Sequence, residues 1–223
     1  MKKAAILWTG GKDSCIALHD AVKRGYTIAG LFTFTPESPD FLAHPLDAVA
    51  LQAEALELPH VRLLVTAPYR ESYTQHLVRL REEEGINCVF TGDIDEVDGC
   101  SSWMEQCCNA AGMELVRPLW KMNRKAVFEH AAAIKMHFMI TCAMPAHFDK
   151  TWPGRTFDAA DLAELENYTA SRAIDLCGEN GEYHTMVTDA LLFKKRLVLQ
   201  DAVTEERNGF YYVKAAAYHL AAK

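Results

Sequence analysis

Apolar and polar positions along this chain follow two different periods, and the two alternate. Ala4–Trp8 is a short uninterrupted apolar run, the pattern of a strand buried on both faces. Cys15, Leu18 and Val22 then recur at helical spacing. Ile28–Phe34 reads as a second strand, and Leu46, Val49, Ala50, Ala53 and Leu56 mark a second helix. Strands are predicted over Val61–Val65 and Ile86–Phe90, with a helix between them that carries Tyr73, Leu77 and Leu80 and stops at Gly85. Met104, Cys107, Cys108 and Ala111 form the next stripe. Further strands are predicted around Glu114–Val116 and His137–Cys142, with a helix over Arg124–Ile134 between them. The order β-α-β-α-β-α-β-α-β-α-β predicts an α/β fold, a parallel sheet covered by helices on both faces. In such sheets ligands bind beyond the carboxyl ends of the strands, where strand order reverses. The turns after the strands are therefore where chemistry is expected.

Towards the end the pattern changes. Asp158 precedes a polar helix with Leu162, Leu165, Thr169 and Leu176 on one side. A Gly-rich turn at Gly178–Gly181 follows, then strand-like runs at 191–193, 196–199 and 210–213. We expect an α/β domain over 1–145 and a smaller mixed region over 146–223 that binds substrate.

Composition narrows the classes. The chain of 223 residues is half hydrophobic and 24% charged, so it can bury a core without staples. No run of 18 uncharged apolar residues is present, which speaks against a membrane helix. The apolar run after Lys2-Lys3 ends at Thr9-Gly10-Gly11, too short for a secretion signal, so a cytoplasmic location is expected. Seven cysteines without a Cys-x-x-Cys pair read as reduced, mostly buried thiols rather than a zinc site. A net charge of −7, with Lys194-Lys195-Arg196 as the nearest basic cluster, argues against a nucleic-acid substrate.

The chemistry sits in two motifs. Thr9-Gly10-Gly11-Lys12-Asp13-Ser14 lies directly between the first strand and the first helix. Glycines there let backbone N–H groups approach an anion, and the helix N-terminus adds free N–H groups and a positive dipole end. Lys12 adds a mobile charge and Ser14 a hydroxyl, which together make a phosphate cradle. It is neither a Walker A loop nor a dinucleotide fingerprint. The second motif, Gly178-Glu179-Asn180-Gly181-Glu182-Tyr183-His184-Thr185, gathers two carboxylates, an amide, an imidazole and a hydroxyl. Taken alone, a polar turn accounts for it.

The first motif resembles the Ser-Gly-Gly-Lys-Asp-Ser signature of PP-loop ATP pyrophosphatases, with Thr9 in place of the first Ser. The two motifs together resemble the diphthine–ammonia ligase (diphthamide synthase) family, which carries Gly-Glu-x-Gly-Glu-aromatic-x-Thr. His44-Pro45-Leu46-Asp47 with Gln52-Ala53-Glu54-Ala55-Leu56, Gly92-Asp93-Ile94, Arg117-Pro118-Leu119-Trp120, Trp152-Pro153-Gly154-Arg155 and Phe193-Lys194-Lys195 extend the resemblance over nearly the whole chain. It implies an adenine-nucleotide alpha hydrolase-like fold of the HUP type, in a minimal version without added C-terminal domains. It also implies a reaction in which a carboxylate attacks the α-phosphorus of ATP and ammonia then displaces AMP.

By that resemblance Thr9, Gly10, Gly11, Lys12, Asp13 and Ser14 hold ATP, Asp13 helps to order Mg²⁺, and the adenine lies near 32–35. Lys12, Asp13, Asp93, Glu182 and His184 are the candidate catalytic residues. Arg155, Glu179, Asn180, Gly181, Glu182 and Thr185 are candidates for binding substrate or ammonia. Plainer roles stand beside these: a helix cap for Asp93, a hydrogen-bonded structural histidine for His184, a surface charge for Arg155. Trp103 and Trp120 read as packing, and Cys15 as core. The family substrate is diphthine on translation elongation factor two, a partner of archaea and eukaryotes; in a bacterium a small-molecule carboxylate takes its place. One departure points that way, since the family's Arg after Gly-Asp-Ile has no counterpart in Asp95–Trp103. The competing readings are a PP-loop enzyme that modifies a tRNA base and a nucleotide sensor without catalysis. A homodimer is a candidate assembly.

Overall fold

The computed structural model describes residues 2–96 and 103–223. The departure noted after Ile94 therefore falls largely outside the described residues. The chain forms two compact units, one of Met1–Thr9, Asp13–Asp40 and Leu58–Lys121, the other of Gly10–Lys12, Phe41–Glu57 and Met122–Lys223.

The first unit is the predicted α/β sheet. Strands β1 (Lys3–Leu7), β2 (Thr27–Thr35), β3 (His60–Leu64), β4 (Cys88–Phe90) and β5 (Glu114–Val116) lie in the order β3-β2-β1-β4-β5. Every pairing is parallel, with Ile6 opposite Leu31 on one side and Phe90 on the other. Order reverses between β1 and β4, so their carboxyl ends open the crevice where a ligand is expected.

Helices α1 (Lys12–Lys23), α3 (Tyr69–Glu84) and α4 (Trp103–Ala111) connect these strands. Leu77 and Leu80 of α3 and Met104, Cys107 and Cys108 of α4 pack with Ala5, Phe32, Leu63 and Val89 on one sheet face. Right-handed crossovers then place α1, whose connection runs the opposite way along the sheet, on the other face. Its buried stripe is Cys15, Leu18 and Ala21, whereas Val22 is 40% exposed. The i, i+3 step holds for this short helix and the i+7 step predicted from Cys15 does not.

The second unit differs from expectation. The strand predicted at His137–Cys142 is β6 (His137–Ala143), and it does not extend the parallel sheet. It pairs antiparallel with β8 (Tyr183–Asp189) on one edge, and with β7 (Thr156–Phe157) and β11 (Phe210–Lys214) on the other. A strand buried on both faces reads the same whichever way its neighbours run, so its sequence does not reveal their direction. The expected boundary at 145 differs from this division for that reason: helix α5 (Arg124–Ala133) and β6 belong to the second unit.

β10 (Val203–Arg207) pairs with β11, and β9 (Arg196–Gln200) pairs with β12 (Ala217–Ala221). Helix α2 (Leu46–Leu56) covers the latter pair, with Ala48 and Leu51 against Leu197, Leu199, Tyr218 and Leu220. The polar helix is α6 (Leu162–Ala170), which stops before Leu176. Residues 191–193 are a turn, not a strand. No helix among the described residues is long and apolar enough to cross a membrane.

Candidate active site

The turn after β1 is fixed from behind. Gly10 has φ +83°, a left-handed conformation that favours glycine. Its carbonyl accepts from the backbone N–H of Val187 and from Gln52 Nε2, both at 2.9 Å. Gln52 is wholly buried on α2 and also donates to Val187 O at 2.7 Å, so one amide ties helix, loop and strand together. A Cβ on Gly10 would lie 2.4 Å from Gln52 Oε1. Because C=O and N–H point to opposite sides of a trans peptide, anchoring the Gly10 carbonyl turns the Gly11 N–H away from Gln52. At Gly11 a Cβ would come within 3.1 Å of Thr185 O. At both positions a side chain would collide with α2 or β8, so the turn requires bare backbone.

Lys12 joins this turn to the second motif. Its backbone N–H donates to Thr185 Oγ1 at 3.1 Å, and its Nζ donates to Cys177 O at 2.6 Å. The ammonium also lies 5.8 Å from the Tyr183 ring centroid. Lys12 is buried, and its charge is directed at the 177–183 segment. Thr185 is no turn residue. It sits on β8, opposite Ile140 of β6, where strand geometry aims its hydroxyl. His184 is half-buried, with its ring edge-on to His44 at 5.7 Å.

Glu182 is the hub of the Gly-rich turn. Its carboxylate accepts from Asp175 N (3.0 Å), Asn180 N (3.0 Å) and Asn180 Nδ2 (2.9 Å). Gly178 and Gly181 both take positive φ, 76° and 81°, and the Gly181 N–H donates to Gly178 O. Glu179 is half-buried and Asn180 exposed. Burial raises the Glu182 pKa, but the hydrogen bonds from Asn180 and the backbone outweigh it and hold the carboxyl below its usual range. A depressed carboxyl stabilises the fold above the unfolded-state pKa and loses that contribution as pH falls through the folded one. Glu182→Gln should therefore loosen the 175–182 turn by about 1–3 kcal/mol at neutral pH, because its new amide N–H faces other donors. The difference from wild type should vanish in acid, read as amide exchange of the turn against pH.

In the first unit, Thr9 Oγ1 donates to Ser14 Oγ at 3.4 Å across the start of α1. Gly92 closes on the same place: a Cβ there would lie 2.4 Å from the Asp13 carbonyl carbon and 2.7 Å from Ser14 N. Thus the turns after β1 and β4 touch backbone to backbone, and Asp93 follows directly. Burial raises the Asp93 pKa, opposed by the Thr91 hydroxyl and the Arg117 guanidinium and reinforced by Asp13. Carboxylates perturbed in this way at a sheet's ligand edge are candidates for function.

Arg155 is placed elsewhere. Its guanidinium pairs with Glu164 at 2.7 Å and lies over the rings of Trp152 and Phe157, at 4.4 and 5.1 Å. Its carbonyl accepts from Ile140 N, on the edge of β6 away from Thr185. In this position the partners of the Arg155 guanidinium are an acid and two aromatic rings. Trp103 is 38% exposed, and its ring tilts against Tyr73 at 4.5 Å. Trp120 lies under Arg117 at 3.8 Å. Cys15 is fully buried, as core.

Sequence reasoning quoted His44 and Gln52 only as part of the family resemblance, with no role at the site, and did not single out Cys177. A glutamine inside an apolar helical stripe was a signal that Gln52 has a buried partner. A backbone carbonyl such as Cys177 O gives none.

Comparison with known proteins matches both parts of the chain to one family. Residues 1–115 match the model for the diphthamide synthase N-terminal domain, and residues 123–218 that for its C-terminal domain. The chain is 28% identical to the diphthine–ammonia ligase of Mus musculus, covering 99% of this chain and 93% of that protein. It is 26% identical to that of Homo sapiens, covering 90% and 84%. Against the Schizosaccharomyces pombe ligase it is 27% identical over 95% of this chain, but over only 38% of that longer protein. The solved structure of a predicted subunit of tRNA methyltransferase from Methanocaldococcus jannaschii aligns with 85% of this chain and 98% of its own. Its identity is 17% and its TM-score 0.46, too low to bear on function.

Proposed function

This chain belongs to the diphthamide synthase family, and from that premise we propose that it is an ATP-dependent ligase converting a carboxylate and ammonia into an amide, with AMP and pyrophosphate released. The carboxylate is that of diphthine on translation elongation factor two, in keeping with relatives that are diphthine–ammonia ligases. The observation that carries this reading is the pair of hydrogen bonds made by Lys12, one to Thr185 Oγ1 in the second motif and one to Cys177 O immediately before it. They tie a phosphate-type turn to the polar segment that resembles the family's substrate motif.

In this reading the Gly11 N–H and the start of α1 bind phosphate oxygens, and Lys12 offsets their charge. Such chemistry depends on positioning and charge neutralisation rather than on a protein nucleophile. Asp13 is the residue that would hold Mg²⁺, which needs few protein ligands beside phosphate oxygens. Mg²⁺ there would screen the charge of the phosphates. Asp93 stands at the edge where the substrate carboxylate enters. Glu182 shapes the turn, and His184 takes the proton that ammonium must lose before it attacks. The reaction takes place in the cytoplasm.

The test is pyrophosphate release from Mg·ATP and ammonium, with diphthine-bearing elongation factor two in one arm and a pool of carboxylate metabolites in another. Release with the factor supports the proposal, and release with metabolites alone changes the substrate but keeps the reaction. ATP binding without release in either arm sinks the ligase and leaves a sensor.

The thiolation alternative needs a reactive thiolate. Burial pushes Cys88 up to about 11, Cys108 to about 12 and Cys142 to about 11, so these thiols stay protonated at neutral pH. The other cysteines among the described residues, Cys15, Cys107 and Cys177, are buried as well, so brief iodoacetamide treatment of the native protein should leave pyrophosphate release unchanged within a factor of two or so. Stoichiometric loss of activity on alkylation would revive the alternative.

A further inference from the structure

His44 has no part in the roles set out above. It stands two residues before α2, and Pro45 after it confines its backbone to extended conformations. The register of β6 and β8 is irregular between Ile140 and Cys142. The residue skipped there, Thr141, donates through Oγ1 to Ala43 O at 2.7 Å and so fixes the chain just ahead of His44. The ring is held against the phosphate-type turn: a Cβ on Gly11 would lie 3.4 Å from His44 Cε1, the carbon bonded to both ring nitrogens. It also meets the His184 ring edge-on.

Nδ1 of His44 is enclosed and has no hydrogen-bond partner among the described residues. An enclosed N–H without an acceptor is rarer in folded proteins than an under-satisfied acceptor. The enclosed Nδ1 is then the bare nitrogen, and the proton sits on Nε2. Burial first, then the neighbouring His184 and Lys12, lower the His44 pKa to about 3, so the ring is neutral under ordinary conditions.

We propose that His44 donates Nε2–H to the phosphate group bound by the Gly10–Lys12 turn, as a neutral donor beside the charged Lys12. The inference rests on the reading that this turn holds nucleotide phosphates. A neutral N–H can stabilise developing negative charge without placing a second cation next to the Lys12 ammonium.

The test uses the full chain and the magnesium complex of α,β-methylene-ATP, an analogue whose bond between the α- and β-phosphorus cannot be broken by attack at the α-phosphorus. His44→Phe keeps a ring against His184 and removes the donor, and it should weaken binding by roughly 10-fold or more in titration calorimetry. His44→Asn, which keeps an N–H, should recover part of that loss. In ¹⁵N-histidine spectra of the wild type, His44 should be the Nε2–H tautomer, and its Nε2 signal should shift when the analogue binds. Wild-type affinity in His44→Phe, or a proton on Nδ1 in the loaded protein, overturns the proposal alone. A wild type that does not bind the analogue overturns the reading of the turn as well.

Discussion

Lys12→Ala is expected to lower pyrophosphate release at least about 100-fold, the scale on which a single preorganised charged donor contributes to such reactions. The effect has two sources. Removing the ammonium leaves phosphate charge without its nearest fixed cation. It also cuts the strut from the loop to Cys177 O, a 2.6 Å bond that sets the position of the Gly178–Glu182 turn. Amide exchange separates the two. Lys12→Ala should speed exchange across 176–182 even without nucleotide, because the loss of the strut precedes any ligand. The bond from the Lys12 N–H to Thr185 Oγ1 is made by backbone and survives the substitution. Activity within threefold of wild type, or unaltered exchange in the turn, would refute this account of Lys12.

Gly92→Ala should be nearly as damaging to activity, by sterics alone. The added methyl would sit 2.4 Å from the Asp13 carbonyl carbon, 2.7 Å from Asp13 O and 2.7 Å from Ser14 N. Those atoms are backbone at the start of α1, so no side-chain rotation relieves the contact. Overpacking of a tight core costs about 1–3 kcal/mol, and a backbone clash belongs at the upper end. For a protein of this size that is a fall of roughly 6–12 °C in Tm. The turns after β1 and β4 would be driven apart, and nucleotide affinity should fall with them. Gly25→Ala separates crowding from backbone strain: Gly25 has φ +79°, which strains an alanine, but a Cβ there meets nothing within 4 Å, whereas Gly92 is crowded without a positive φ. If Gly92→Ala melts and binds like wild type, the crevice between β1 and β4 is wrongly drawn.

Much of the first unit was legible in the sequence because its signals are local. Ala4–Trp8, Ile28–Phe34 and Ile86–Phe90 are apolar runs that only a doubly covered sheet can bury. The glycine pair between the first run and the first helix marks a tight turn, in which Gly10 takes φ +83°. The two motifs could therefore be found by composition and spacing, and the family by their order. Two elements were not legible. β6 carries the pattern of a parallel strand, and only its pairing with β7, β8 and β11 makes it antiparallel. Thr185 reads as the end of a polar turn, yet it lies on a strand that presents its hydroxyl to Lys12.

The sequence by itself determined the alternation of strands and helices, the phosphate-type turn and the membership of Glu182, His184 and Thr185 in one polar segment. It could do so because periodicity and turn chemistry are properties of neighbouring residues. Tertiary structure alone decided which partners those residues meet. Gln52 reaches Gly10 across 42 positions and Val187 across 135. Lys12 reaches Cys177 across 165. Contacts between residues so far apart in the chain depend on how strands pair and where backbone carbonyls are left to accept, and no local pattern records either.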